Sequence, residues 1–330
     1  TLQPSPWWSR RPIVWLLSTV VILASLLIAG CGDDDTTGAV DASPTVEAGA
    51  IPSPAYDWSD EPWSIVVSLP IFADFAREMG GDQVTVTTLI PPGVDPHTYV
   101  PPPEAADLIK TADLVFVNGL GLDQPTIDFV QANRPDGPLF MVDFVRNIPS
   151  PSTTQPIGGM PIFAKEIGDN PHLYLDPVLV PLYAETVSHS LVIIDGINEP
   201  YYDALFANYK QRLKALNEEI ATAMGRIPAE NRTLVTEHNS MIHWANRYGL
   251  TVEGTLEDDG EDGLREILTT QNLAAVFGEI GLGDGTLQDL ASESGTPVCV
   301  LATDSIEVAG MAYIKMMETN SAALVSCLGG

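Results

Sequence analysis

Residues 64–90 read SIVVSLPIFADFAREMGGDQVTVTTLI, and this stretch decides the fold. Ser64–Ser68 is a short β-branched run, Ile71–Met79 reads as a helix closed by Gly80-Gly81, and Val84–Ile90 is a second strand. The alternation continues outward. Glu104–Thr111 is a helix, Leu114–Asn118 a strand, Pro125–Ala132 a helix and Leu139–Val142 a strand. Pro177–Asp195 then has helical length and no Gly, with Pro181 four residues in, so that the helix begins there or kinks. Tyr201–Met224 is a second long helix with apolar Leu205, Tyr209, Leu213, Leu216 and Ile220.

Strand Thr233–Thr236, helix Asn239–Tyr248, strand Leu250–Glu253, helix Gly263–Asn272 and strand Ala274–Phe277 follow. Helix Thr286–Ser294, strand Val298–Leu301 and helix Val308–Leu328 finish the chain. Repeated βα alternation predicts an α/β fold. The expected architecture is two lobes, each a mainly parallel sheet flanked by helices, joined by a single long rigid helix. The boundaries are 62–175 for the N-terminal lobe, 176–196 for the connecting helix and 197–330 for the C-terminal lobe.

The chain has 330 residues, 45% of them hydrophobic, with 15 Lys+Arg against 44 Asp+Glu and a net charge of −29. That much apolar material fills a sizeable core and excludes general disorder. So acidic a surface repels phosphate backbones, which excludes nucleic acid as a partner. Three cysteines without a CxxC pair cannot build a thiolate metal site or a disulfide scaffold.

Arg10 and Arg11 precede an uncharged apolar run, Ile13–Ala29, which ends in Leu27-Ile28-Ala29-Gly30-Cys31. This is the pattern of a secretory signal over residues 1–30. A cysteine directly after Ala-Gly resembles a bacterial lipobox, in which Cys31 becomes the lipidated first residue of the mature chain. The other reading is a 17-residue transmembrane anchor. Both put the remainder outside the cytoplasm. Residues 31–61, Asp-, Thr-, Ser- and Pro-rich, form an acidic tether, and Asp33-Asp34-Asp35 is a solvated charge run within it.

Four side chains stand where ligands bind in α/β proteins. His97 follows the strand Val84–Ile90 in the loop Pro91-Pro92-Gly93-Val94-Asp95-Pro96-His97. His238 follows Thr233–Thr236, Asp304 follows Val298–Leu301, and His172 precedes the connecting helix. Ligands in open α/β sheets sit beyond the carboxyl ends of strands. Three imidazoles and a carboxylate, two from each lobe, suit zinc, and also manganese or iron. Taken singly, each histidine is also readable as a capping or core residue. His189, mid-helix, and His243, on another helix face from His238, are read as structural.

The order of motifs carries a family resemblance. It runs through Pro70-Ile71-Phe72-Ala73-Asp74, Gly80-Gly81-Asp82, Pro92-Gly93-Val94-Asp95-Pro96-His97-Thr98-Tyr99 and Ala112–Gly119. It continues through Asn170-Pro171-His172-Leu173-Tyr174-Leu175-Asp176-Pro177, Thr236-Glu237-His238, Tyr248-Gly249-Leu250 and Met316–Asn320. Over roughly residues 63–330 the chain resembles the metal-binding lipoproteins of zinc/manganese ABC importers, the cluster A-I solute-binding proteins. The resemblance implies that His97, His172, His238 and Asp304 coordinate the ion. It implies as partners an ABC permease and its ATPase subunit. Manganese-selective members carry a carboxylate as third ligand, and His238 tilts this chain toward Zn2+ over Mn2+. The His-rich loop of many zinc importers is absent, since 147–170 contains no histidine.

Glu279 lies where the family has an acidic residue near the site, and it reads equally as a helix or loop acid facing water; Arg247 could pair with it, an exposed helix charge being the plainer reading of Arg247. Asp176 reads as the N-cap of the connecting helix. Cys299 and Cys327 either form a disulfide, which an extracytoplasmic compartment permits, or remain two buried thiols. The expectation is an extracytoplasmic, lipid-anchored, monomeric protein that captures a divalent metal as cargo and catalyses nothing. The other readings are a secreted zinc hydrolase and a metal-binding surface adhesin of the same fold. Against the hydrolase, HExxH, G-x-S-x-G and the P-loop are all missing.

Overall fold

The computed structural model describes residues 61–133, 140–143, 170–304 and 312–330. The signal segment 1–30, Cys31 and the tether to residue 60 lie outside the described residues, as does nearly all of the histidine-free stretch 147–170. β1 (Trp63–Val67), α1 (Pro70–Gly80) and β2 (Val84–Thr88) form the opening βαβ unit. α2 (Ala106–Thr111), β3 (Leu114–Val117), α3 (Gln124–Asn133) and β4 (Phe140–Asp143) complete a four-stranded parallel sheet of order β2-β1-β3-β4. After α4 (Val180–Ile194) and α5 (Glu199–Met224) a second sheet follows. It comprises β5 (Thr233–Thr236), α6 (Ile242–Tyr248), β6 (Thr251–Thr255), α7 (Leu256–Thr270), β7 (Val276–Glu279), α8 (Thr286–Ser294) and β8 (Val298–Leu301). Its order, β6-β5-β7-β8, repeats that of the first, again all parallel. α9 (Tyr313–Cys327) closes the chain.

Strand residues alternate between two buried faces, as parallel sheets require. Ile65, Val67, Leu114 and Phe116 share one core with Leu234, Phe277 and Leu301 of the second sheet. Val66, Val115 and Val117 fill a separate core on the outer face of the first sheet, and Val235 and Val276 do so on the second. The shared core also holds Phe72 and Phe75 of α1, Tyr183 of α4, Tyr209 and Leu213 of α5 and Met316 of α9. One apolar interior therefore joins the inner faces of both lobes, and wide separation would expose it to water.

The helix that joins the lobes is not at 176–196. α4 packs on α1 and α5, whereas α5 packs on α1, α4 and also α9. The 26-residue α5 is thus the connector. Two local features explain the shift. Pro181 sits in the first turn of α4 and helps to start it, so the α-helix begins at Val180 and not at Pro177. At the other end Asp195 leaves helical geometry and accepts hydrogen bonds from Asn198 Nδ2 (3.0 Å) and Tyr202 Oη (2.7 Å), which turns the chain into α5. α7 also starts earlier than its apolar pattern indicates. Thr255 caps Asp258 N–H, and three acids occupy the first turn, before Gly260 kinks the helix.

α9 has no side-chain cap of its own; Asp74 of α1 supplies one from the other lobe, accepting the Tyr313 N–H at 2.9 Å. Burial, with Glu78 adding repulsion, pushes the Asp74 pKa up to about 6. A carboxyl raised above its unfolded value contributes stability below about pH 4 that is lost as pH climbs through 6. Asp74→Asn keeps an acceptor and removes the charge. Its unfolding free energy at pH 8 is expected to exceed that of the parent by about 1–3 kcal/mol, with the difference vanishing near pH 4. Urea melts across that range check this, and an advantage that persists at pH 4 would contradict it.

Candidate metal centre

The loop after β2 carries His97. Asp95 closes it locally, its Oδ1 accepting the His97 N–H (2.8 Å) and its Oδ2 the Thr98 hydroxyl (3.0 Å). His172 lies just ahead of a short 3-10 turn, Leu173–Leu175. His238 and Asp304 follow β5 and β8, beyond their carboxyl ends. β5 and β7 are the adjacent strands at which the order of the second sheet switches, the position where such sheets bind ligands.

The structure brings His97, His172, His238 and Asp304 together, with one potential ligand atom from each lying within 4.8 Å of all the others. Asp304 Oδ2 is 3.0 Å from His238 Nε2 and 3.4 Å from His97 Nε2. Asp304 Oδ1 is 3.1 Å from His172 Nε2, which in turn lies 3.1 Å from His238 Nε2. A tetrahedral ion with bonds of about 2.0–2.1 Å has ligand–ligand edges of about 3.3–3.4 Å, close to these four separations. The buried Nε2 of His97 has no hydrogen-bond partner among the described residues. A nitrogen left unpaired beside a carboxylate suits a cation between them.

Neighbouring groups orient two of the rings. His172 Nδ1 donates to Asn170 Oδ1 (3.0 Å) and His238 Nδ1 donates to Glu279 Oε1 (3.0 Å), which turns both Nε2 lone pairs inward. The other oxygen of Glu279 accepts the hydroxyls of Ser240 (2.7 Å) and Thr303, so this carboxylate ties together the turns that carry His238 and Asp304. Burial disfavours the charged form of His238, but bonds to Asp304 and Glu279 outweigh it and push its pKa up to about 11. Burial likewise opposes ionisation of Asp304, and the three imidazoles overcome it, holding the carboxyl well below the usual range. Three neutral imidazoles, Asp304 and Glu279 would balance a divalent cation.

The nest is closed on three sides. His172, His238 and Asp304 are 2%, 8% and 1% exposed, while the His97 side chain is 33% exposed and faces a cleft of about 310 Å³. Asp95, Glu237 and Glu257 line that cleft, an acidic mouth for a cation. Gly281, at φ +80°, forms part of the contact between lobes: a Cβ there would meet the carbonyl of Gly93 at 2.8 Å, so only glycine permits the approach.

Two expected pairings are corrected. Arg247 does not reach Glu279; its guanidinium holds both oxygens of Asp176 at 2.7–3.0 Å. Asp176 for its part is no helix N-cap, because α4 begins four residues later and Leu179 is its uncapped N-cap residue. His189 is exposed on α4, away from the nest. His243 is buried, and its Nε2 donates to the Asn170 carbonyl (3.1 Å), steadying the residue that orients His172. Cys299 and Cys327 are joined in a disulfide. Tyr174 carried no expected role, yet its hydroxyl donates to Asp304 Oδ1 at 2.6 Å. The only signal in the sequence was a tyrosine two residues after His172.

Two similar α/β lobes around one buried nest of three imidazoles and a carboxylate, a group that could hold a metal ion, define the class of a two-lobed metal-binding solute receptor. Comparison with known proteins places the chain more closely. The family model "Zinc-uptake complex component A periplasmic" matches residues 65–327, and the chain belongs to that family, whose members are solute-binding proteins of ABC importers and not enzymes. It is 29% identical over 323 residues to the manganese-binding lipoprotein MntA of Halalkalibacterium halodurans, covering 94% of this chain and 97% of MntA. The manganese ABC transporter substrate-binding lipoprotein PsaA of Streptococcus pneumoniae is 26% identical, covering 79% of this chain and 87% of PsaA. In fold, the chain is similar to the periplasmic zinc-binding protein TroA of Treponema pallidum, with a TM-score of 0.70 at 23% identity, over 81% of this chain and 99% of that one.

Proposed function

We propose that the protein captures a divalent transition metal, zinc in preference to manganese, through His97, His172, His238 and Asp304. It delivers the ion to an ABC permease powered by an ATPase subunit, and it works as a monomer anchored by lipid at Cys31. The observation that carries this reading is the convergence of three imidazole nitrogens on one buried carboxylate, at edges of 3.0–3.4 Å. Zinc is favoured by a donor set richer in imidazole than in carboxylate. MntA and PsaA, named for manganese, make that ion the next choice.

Affinity comes from replacing the ion's water with preset ligands, and protons compete for the same nitrogens, so acid releases the metal. The shared core limits lobe movement, and release at the permease is expected to proceed through distortion around His97, the exposed ligand, with little hinge opening. Elemental analysis of the dialysed full-length protein tests the assignment. One equivalent of zinc per chain, absent from a His97→Ala/His172→Ala double variant, is expected. Manganese retained against competing zinc would change the cargo. No retained metal, with no thermal stabilisation by either ion, would sink the reading.

A further inference from the structure

We propose that Tyr174 is a selectivity-determining residue: by holding Oδ1 of Asp304, its hydroxyl leaves that carboxylate a single oxygen for the ion and so favours four-coordinate zinc over manganese. The inference rests on the ligand set proposed above. The two oxygens of Asp304 have different surroundings. Oδ2 faces His238 Nε2 and His97 Nε2. Oδ1 receives the Tyr174 hydroxyl at 2.6 Å and lies beside His172. Both Tyr174 and Asp304 are buried, so no water competes for this bond.

The phenol is also fixed in place. The Tyr313 hydroxyl donates to the Tyr174 carbonyl at 2.8 Å, and the Tyr174 ring meets Phe72 edge-on at 5.9 Å between centroids. Three Nε2 atoms and Oδ2 then make four ligands, the number preferred by zinc in protein-enclosed sites. Manganese favours more numerous, oxygen-rich ligands. Its nearest fifth donor would be Oδ1, and recruiting it means weakening a short bond to a charged group, which is among the stronger hydrogen bonds in proteins.

The test is Tyr174→Phe in the full-length protein, with zinc and manganese affinities measured by competition titration and visible spectra recorded with Co2+ as probe. The zinc-to-manganese affinity ratio is expected to fall about tenfold, or about 1.4 kcal/mol. The cobalt bands should weaken from the intense four-coordinate pattern toward that of a higher-coordinate ion. If both affinities fall together with the ratio and the spectrum unchanged, Tyr174 serves packing alone and the proposal is overturned. The parent protein supplies a check that needs no variant, since weak, higher-coordinate cobalt bands in it would also overturn the proposal. A parent that binds none of the three ions is a separate result, because it removes the ligand assignment and the selectivity argument with it.

Discussion

Asp304→Ala is expected to abolish metal retention, weakening affinity by at least about a thousandfold, because losing a group that merely orients a ligand already costs about 10- to 100-fold. Asp304 is the point on which the site converges. Its two oxygens meet all three imidazoles, and it alone among the four supplies negative charge. Without it, three imidazoles would share a buried space with a dication only half balanced, by Glu279 behind His238. Calorimetric titration measures the affinity directly. Thermal melting gives a second view: a ligand at a thousand times its Kd adds about 4 kcal/mol to stability, and this increment should disappear in the variant. A variant that binds zinc within tenfold of the parent would remove Asp304 from the ligand set.

The second large effect concerns stability. Cys299 in β8 and Cys327 at the end of α9 close a loop with a sequence separation of 28. For a loop of that length, chain entropy gives about 3–4 kcal/mol. The double variant Cys299→Ser/Cys327→Ser should therefore lose about that much in chemical denaturation while still binding one equivalent of metal, since neither sulfur belongs to the nest. A loss below about 1 kcal/mol would mean that the unfolded chain already keeps these two segments close without the bridge. Loss of metal binding without loss of stability would instead mean that the bridge positions Asp304, five residues beyond Cys299.

Much of this molecule was legible because its signals are local. β-branched runs, glycine stops and helical spacing identified the strands and most helices of both lobes, and the end of a strand is where an α/β sheet binds its ligand. His97, His238 and Asp304 could be singled out by that rule. What failed also failed for physical reasons. Pro177–Asp195 reads as the connector because it is apolar and uninterrupted, whereas α5 is a half-exposed helix whose inner stripe reaches both lobes. The start of α7 depended on a Thr255 cap and an acidic first turn, not on apolar spacing.

The sequence by itself determined the class of fold and the twofold repetition of βα units, since each depends on residue type and on periodicity within a few turns of chain; it also pointed to the four side chains that the fold gathers into one nest. Only the tertiary structure decided which groups stand behind those four side chains. Arg247 holds Asp176 and not Glu279; Glu279 joins His238 to Ser240 and Thr303; Tyr174 reaches Asp304 across 130 positions. Hydrogen bonds act over about 3 Å of space, whatever the distance along the chain. Which donor meets which acceptor was therefore settled when the two sheets closed on one core.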